Sequence, residues 1–197
     1  MQIRVHNLLE RTKMAGPGWR FCLWVQGCSR RCEGCMATAT WDFKSGTLKD
    51  IQCIFERVAS TPDINGITFL GGEPFEQAEA VAALAEKVKS TGLSVVTFTG
   101  FTYEKLLENS SPHIKNLLAA TDLLIDGSFI QNRFDLSRPW IGSDNQRYHF
   151  LSNRYDENSL YGARNQIEVR INSDGSLFIN GMGDFSKIKN FIGRAGE

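Results

Sequence analysis

The chain has 197 residues, of which 42% are hydrophobic and 22% charged. That is enough for one sizeable globular domain and too little for two comfortable ones. Its 22 Lys and Arg balance 22 Asp and Glu, so there is no general basic footprint for nucleic acid, and no apolar run is long enough to span a bilayer.

Taken in chain order, Gln2 to Leu8 reads as an edge strand or an arm. Residues 19–26 read as a buried strand, rich in aromatic and β-branched types. A cysteine loop follows, running through Trp41-Asp42-Phe43. Thr47 is placed to cap a helix in which Leu48, Ile51, Phe55 and Val58 recur at helical spacing, with Pro62 beyond its end. Gly66 to Leu70 forms a short strand closed by Gly71-Gly72. Residues 76–91 form a strong helix with Val81, Leu84, Ala85 and Val88 on its apolar face and Gly92 as its stop. Leu93 to Phe98 is the next strand. A weaker helical region, about 103–120, is interrupted by Pro112. Asp122 to Asp126 is another buried strand, and 127–147 reads as a long loop. Ile167 to Ile171 and Leu177 to Ile179 flank Asn172-Ser173-Asp174-Gly175-Ser176, a hairpin signal. Gly193 to Glu197 reads as a frayed tail. The expected organisation is a single domain with a core at about 16–150 and a C-terminal extension at about 151–197.

Repeated βα units argue for a parallel sheet, and sites in such folds lie at the carboxyl ends of the strands. The unusual motifs fall there: the cysteines after the first strand, Gly71 to Pro74 after the second, Thr99-Gly100 after the third and Asp126-Gly127 after the fourth.

Cys28, Cys32 and Cys35 have the spacing C-x3-C-x2-C. Thiolates this close are soft ligands that converge on one metal centre. Three are one short of the four that usually hold a 4Fe–4S cluster, which would leave one iron open to a non-protein ligand. Disulfides fit less well: five Cys is an odd number and no apolar leader with a cleavage site starts the chain, so a reduced, cytoplasmic setting is the simpler reading. Structural zinc is the other alternative. It needs a fourth ligand, and Cys22, Cys53, His6, His113 and His149 all lack a ligand-like spacing to the trio. Cys22 and Cys53 are expected to be plain buried thiols. Arg30 and Arg31 inside the loop could stabilise thiolates, meet an acidic partner or simply be solvated.

The combination of Gly16-Pro17-Gly18, the three cysteines, Gly71-Gly72-Glu73-Pro74, Thr99-Gly100, Asp126-Gly127 and Gly142-Ser143-Asp144-Asn145-Gln146 resembles the radical S-adenosylmethionine (SAM) superfamily. Within it the chain is similar to the activating proteins of anaerobic, glycyl-radical ribonucleotide reductases, over about residues 1–181. The resemblance implies a 4Fe–4S cluster on Cys28, Cys32 and Cys35, with SAM on the open iron. It implies reductive cleavage of SAM to a 5′-deoxyadenosyl radical that installs a glycyl radical on the reductase large subunit. Gly71, Gly72, Glu73 and Pro74 match the motif that meets the SAM ammonium, although that tetrapeptide alone would also suit a strand-to-helix turn. Thr99 and Asp126 match positions lining the SAM pocket; an Asp at a strand end is also an ordinary cap or turn residue. Asn145 and Gln146 either line the site, meet the partner or belong to a polar loop.

Two positions depart from the family's pattern. Met36-Ala37 stand where many members have His or Tyr followed by Asn, so Met36 takes the place of an aromatic adenine contact. Ser128 stands where the formate-lyase activases carry Lys. The chain has no second cysteine-rich insert, so its electrons are expected from a flavodoxin or ferredoxin. The implied fold is α/β, an incomplete (β/α) barrel of the radical SAM type with a C-terminal β-hairpin, its open side admitting a protein loop. The alternatives are a radical SAM enzyme acting on another glycyl-radical enzyme or polypeptide, and a non-catalytic Fe–S or zinc scaffold.

Overall fold

The computed structural model describes residues 1–171 and 173–184. Alternation along the strands sorts the chain into two layers. In β2 (Arg20–Val25), Phe21, Leu23 and Val25 point to one face and Cys22 and Trp24 to the other. β4 (Gly66–Gly71) does the same with Ile67 and Phe69 against Thr68 and Leu70. The first face carries the main core. It is covered by α1 (Ile51–Ser60), α2 (Ala78–Lys89), the short α3 (Tyr103–Glu108) and α4 (Pro112–Ala120).

β5 (Ser94–Phe98) and β6 (Leu123–Asp126) extend β2 and β4 into a run of four parallel strands. Antiparallel neighbours flank that run. β1 (Gln2–Thr12) pairs with β2, β3 (Thr47–Asp50) pairs with β1 on its outer side, and β7 (Arg147–Phe150) pairs with β6. The order is β3-β1-β2-β4-β5-β6-β7, so the fold is a mixed α/β domain around a mostly parallel sheet. Ile167–Ile171 (β8) and Leu177–Gly181 (β9) pair antiparallel as a separate two-stranded sheet.

At the amino end of the parallel run, Arg20 is fully buried, and its guanidinium donates to Thr68 Oγ1, Ser94 Oγ, Tyr155 Oη and the carbonyls of Ile67 and Ser94. Burial lowers its pKa, and these five oxygens stitch β2, β4 and β5 together in place of a carboxylate.

Several local expectations change. Thr47 opens a strand rather than a helix, and Asp50 is the helix cap, its side chain accepting from Gln52 N at 2.8 Å. Cys53 is exposed, not buried, because Ile51, Ile54 and Val58 take the buried stripe of α1 and Cys53 falls off it. β1 is not an edge, since β3 lies outside it. The region 103–120 is two helices, with Pro112 opening the second at a position where its missing N–H costs nothing. The segment 127–147 holds a 3₁₀ turn at Gln131–Arg133 and an isolated bridge, Phe134 to Ser143. Asn172 and the tail at Gly193 to Glu197 lie outside the described residues.

Candidate active site

The four parallel strands all end on one side, and the cysteine loop, Gly71 to Pro74, Thr99-Gly100 and Asp126-Gly127 follow them there. On the sheet face opposite the long helices lies a cavity of about 900 Å³. Trp24, Leu70 and Phe98 from the strands form its floor, and Phe178 from β9 closes one wall, its ring set edge-on to Trp24 at 5.9 Å. Cys28, Cys32, Cys35 and Met36 line it, together with Gly71, Gly72, Glu73 and Thr99. Pro74 does not; it is buried at the start of a 3₁₀ turn.

The cysteine loop is fastened at both ends. Gly27 N donates to Thr40 O at 2.7 Å and Cys28 N to Trp41 O at 3.2 Å. Gln26, whose side chain is buried, sends Nε2 to Ala39 O at 3.0 Å and Asp42 O at 2.8 Å, while its Oε1 meets His6 Nδ1 at 2.9 Å. In mid-loop, Arg30 donates to Ser128 Oγ at 2.7 Å and lies over the Phe101 ring at 4.9 Å. Ser128 in turn donates to Gly100 O at 2.7 Å. Ser128 is thus a link between the cysteine loop and the ends of β5 and β6. Arg30, open at the sequence level between thiolate partner, docking residue and solvated side chain, is a tie within the protein.

The thiols differ in setting. Cys28 is buried and Cys32 and Cys35 are half-buried. Burial pushes the Cys28 thiol up, while the N–H groups of Arg30 and Arg31 act the other way. Ala37 N lies 3.4 Å from Cys35 Sγ.

The turn after β4 packs against the start of that loop. Gly72 N donates to Val25 O and Glu73 N to Gly27 O, each at 2.9 Å. Gly71 has φ of +103°, and a Cβ there would meet Trp24 Cα at 2.7 Å; a Cβ on Gly72 would lie 2.3 Å from Gly27 O. Both glycines are therefore required by the protein's own backbone. Glu73 is buried, with Oε1 accepting from Thr99 Oγ1 at 2.9 Å and Phe75 N at 3.1 Å, and Oε2 from Gly100 N at 2.7 Å. Burial pushes its pKa up to about 7, against the pull of those three donors.

Asp126 is not brought to the cavity. It is fully buried, accepting from Arg147 Nη2 at 2.6 Å, Arg147 Nε at 3.1 Å and Tyr103 N at 2.6 Å. His149 Nε2 lies 3.1 Å away without the alignment of a hydrogen bond. Burial pushes this carboxyl up, but His149, Arg147 and the Tyr103 N–H outweigh it and hold it at about 2. Gln146 does line the cavity; its Oε1 accepts from Gly142 N at 2.8 Å and its Nε2 donates to Gly127 O at 3.0 Å. Asn145 donates to Ser128 O at 2.8 Å, beside a smaller pocket of about 480 Å³ shared with Arg30. Gln26, Arg147 and Phe178 escaped the sequence reading. Only Gln26 left a signal, as the one polar residue closing an apolar strand.

The donor set suits a cluster better than a single zinc ion. A 4Fe–4S cluster takes each thiolate on a different iron and can leave one iron to a non-protein ligand, whereas structural zinc needs a fourth protein ligand. The possible fourth ligands are scattered. Cys22 is buried with its pKa pushed up to about 12, Cys53 is on the outside of α1, and His149 sits with Asp126. His113 is on α4, across the sheet, and His6 reaches the cavity wall with its Nδ1 already on Gln26.

A family model described as "4Fe-4S single cluster domain" matches residues 14–149. The anaerobic ribonucleoside-triphosphate reductase-activating protein of Vibrio cholerae is 33% identical over 142 residues, covering 68% of this chain and 89% of the relative. The protein of the same name from Enterobacteria phage T4 is 32% identical over 138 residues, covering 67% and 84%. The structure of QueE from Escherichia coli overlaps 52% of this chain and 54% of its own, at a TM-score of 0.41 and 18% identity. No helix among the described residues is long and apolar enough to cross a membrane. The identity to these relatives, the 84–89% of their length that is covered and the cluster-domain match over the cysteine loop place this chain in the family of anaerobic ribonucleoside-triphosphate reductase-activating proteins.

Proposed function

We propose that this protein is a radical SAM activase that installs a glycyl radical on an anaerobic ribonucleoside-triphosphate reductase. The observation that carries the reading is the joining of the cysteine loop and the Gly71-Gly72-Glu73 turn, through Glu73 N and Gly27 O, at one cavity, in a chain of this family.

Cys28, Cys32 and Cys35 would hold the 4Fe–4S cluster. When bound, cluster and SAM supply a 5′-deoxyadenosyl radical able to take a hydrogen atom from a glycine. The chain's own residues bind, orient and shield. Glu73 and the carbonyls of the Gly-Gly turn offer acceptors to the SAM ammonium. Met36 gives a soft apolar contact for adenine, and Thr99 stands at the opposite side of the turn with its hydroxyl on Glu73. Trp24, Phe98 and Phe178 give the cavity an apolar lining. Asp126 acts at one remove, by locking β6 to β7 and to the start of α3 through Arg147 and Tyr103 N.

The open sheet, with helices on one face and the cavity on the other, supports an incomplete (β/α) barrel that admits a protein loop. Residues 1–197 then act as a single radical SAM domain in the cytoplasm, reduced by a flavodoxin or ferredoxin.

Anaerobic reconstitution should give about four irons per chain, and reduction with SAM should release methionine and 5′-deoxyadenosine. Co-incubation with the reductase should then give a glycyl-radical EPR signal on it. A reconstituted cluster that never cleaves SAM overturns the proposal. Cleavage with radical transfer only to other polypeptides redirects it to a different target.

A further inference from the structure

The two-stranded sheet of β8 and β9 has its polar side inward. The register pairs Glu168 with Asn180 and Arg170 with Phe178 on one face, and Val169 with Ile179 and Ile171 with Leu177 on the other. The first face holds to the body. Thr12 Oγ1 donates to Glu168 Oε2 at 2.8 Å, Asn180 Nδ2 donates to Thr12 Oγ1 at 3.1 Å, Arg170 donates to Arg11 O, and Phe178 abuts Trp24. The second face is aliphatic, with Ile171 76% exposed, Val169 44% and Leu177 43%, and with Ile179 half-buried at its inner end. Solvated hairpins place such residues the other way round.

We infer that this outward strip, Val169, Ile171, Leu177 and Ile179, is a docking surface for the reductase polypeptide that carries the target glycine. The inference rests on the activase reading above. Its position supports it, because Ile179 also lines the cavity, so the strip runs up to the rim through which a protein segment would enter. Size argues against a second copy of this chain. Two strands of five residues present a footprint on the order of 200 Å², far below the ~800 Å² per partner of a stable dimer. Such a strip works only as one part of a larger contact, and the cavity mouth beside it supplies the rest. The family model covers residues 14–149 and stops short of the strip.

Alkylation of a single cysteine tests this. In a Cys53→Ser background, which removes the exposed native thiol, Ile171→Cys is treated with a maleimide in the cluster-loaded protein and read by peptide mass. The expected result is fast labelling in the free protein, slowed about tenfold or more by saturating reductase. Slow labelling in the free protein at high dilution would mean that the chain's own residues beyond 184 cover the strip. Protection that grows with activase concentration alone would mean a second copy. Either result overturns the inference, as does labelling that reductase does not change.

The variant Ile171→Glu/Leu177→Lys should leave reductase-independent SAM cleavage intact and raise the reductase concentration needed for half-maximal radical yield by about tenfold. If that variant fails to fold, the alkylation result decides. A wild-type control separates the two levels of failure. If wild-type protein yields no radical on the reductase, the activase reading fails; if it does while Ile171→Cys stays unprotected, only the docking strip fails.

Discussion

The backbone N–H of Glu73 donates to the carbonyl of Gly27 at 2.9 Å, so the turn after β4 is bonded to the residue immediately before Cys28. This contact ties two loops separated by more than forty residues of sequence into one wall. It depends on the missing side chain at Gly72, where a Cβ would sit 2.3 Å from Gly27 O and 3.0 Å from Val25 O. Both obstacles are main chain and cannot swing aside. Gly72→Ala should destabilise the protein by about 1–3 kcal/mol, as overpacking does, and shift the cysteine loop. Thermal unfolding and iron content after reconstitution check this. Unchanged iron binding together with an unchanged midpoint would show that the turn and the loop are not coupled.

Glu73 also sets a pH dependence. Its folded pKa of about 7 lies above the ordinary 4.5 because burial disfavours the charge. The folded state thus holds this proton more tightly than the unfolded chain. The stability it contributes is fully present below pH 4.5 and is lost as pH rises to about 7, on the order of 3 kcal/mol in all. Glu73→Gln should flatten that part of the curve. It also turns an amide NH₂ toward donors at Thr99, Gly100 or Phe75, which costs about 1–3 kcal/mol. Denaturant unfolding of both proteins at pH 5 and pH 8 measures the difference. An equal drop in wild type and variant would mean that Glu73 does not titrate there.

Much of this site was legible because its chemistry needs rare residue types close together. Three cysteines in eight residues have few alternative uses, and Gly-Gly-Glu-Pro, by itself also an ordinary strand-to-helix turn, gains its meaning beside them; the alternation in Phe21 to Val25 and the apolar stripe of Val81 to Val88 placed the strand and helix that carry them. Partners distant in sequence were not legible. Thr47 to Asp50 becomes a strand only because Gln2 to Val5 lies beside it, a tertiary effect that overrides local helix signals. Asp126 looks the same in sequence whether it faces a ligand or a salt bridge, and Arg147, twenty-one residues on, decides the matter. The inverted polarity of β8 and β9 likewise depends on Thr12 and Trp24 from the opposite end of the chain.

Arg147 is the residue to remove to test the Asp126 anchor. It bonds Asp126 on one side and Glu104 on the other, the latter through two contacts at 2.9 and 2.8 Å. The folded Asp126 value of about 2 lies below the ordinary 3.8. The stability it contributes is therefore present above pH 3.8 and is lost as pH falls toward 2, about 2 kcal/mol in all. Arg147→Ala leaves a buried carboxylate with only Tyr103 N and His149 beside it. It should cost about 3 kcal/mol near neutral pH and move acid unfolding to higher pH. Acid titration followed by near-UV circular dichroism reads both effects, and an unmoved acid limb would mean that Arg147 is not what keeps Asp126 ionised.

Gln26 provides the sharpest test of how the cysteine loop is held. Its carboxamide sits at the end of β2, 2% exposed, and spends both N–H bonds on the carbonyls of Ala39 and Asp42 across the base of the loop. Gln26→Leu keeps the volume and removes both donors. Two carbonyls are then left unpaired in a part-buried setting, each costing about 1–3 kcal/mol where water cannot reach it. The backbone bonds from Gly27 to Thr40 and from Cys28 to Trp41 remain, so the loop should loosen rather than detach. Hydrogen exchange should accelerate for amides of residues 37–43 while those of β4 and β5 stay protected. The three cysteines should still take up iron and lose it faster to a chelator. Uniform acceleration across the sheet would instead identify Gln26 as a general core residue. Exchange confined to the loop with chelation unchanged would mean that the loop's far end plays no part in keeping the cluster.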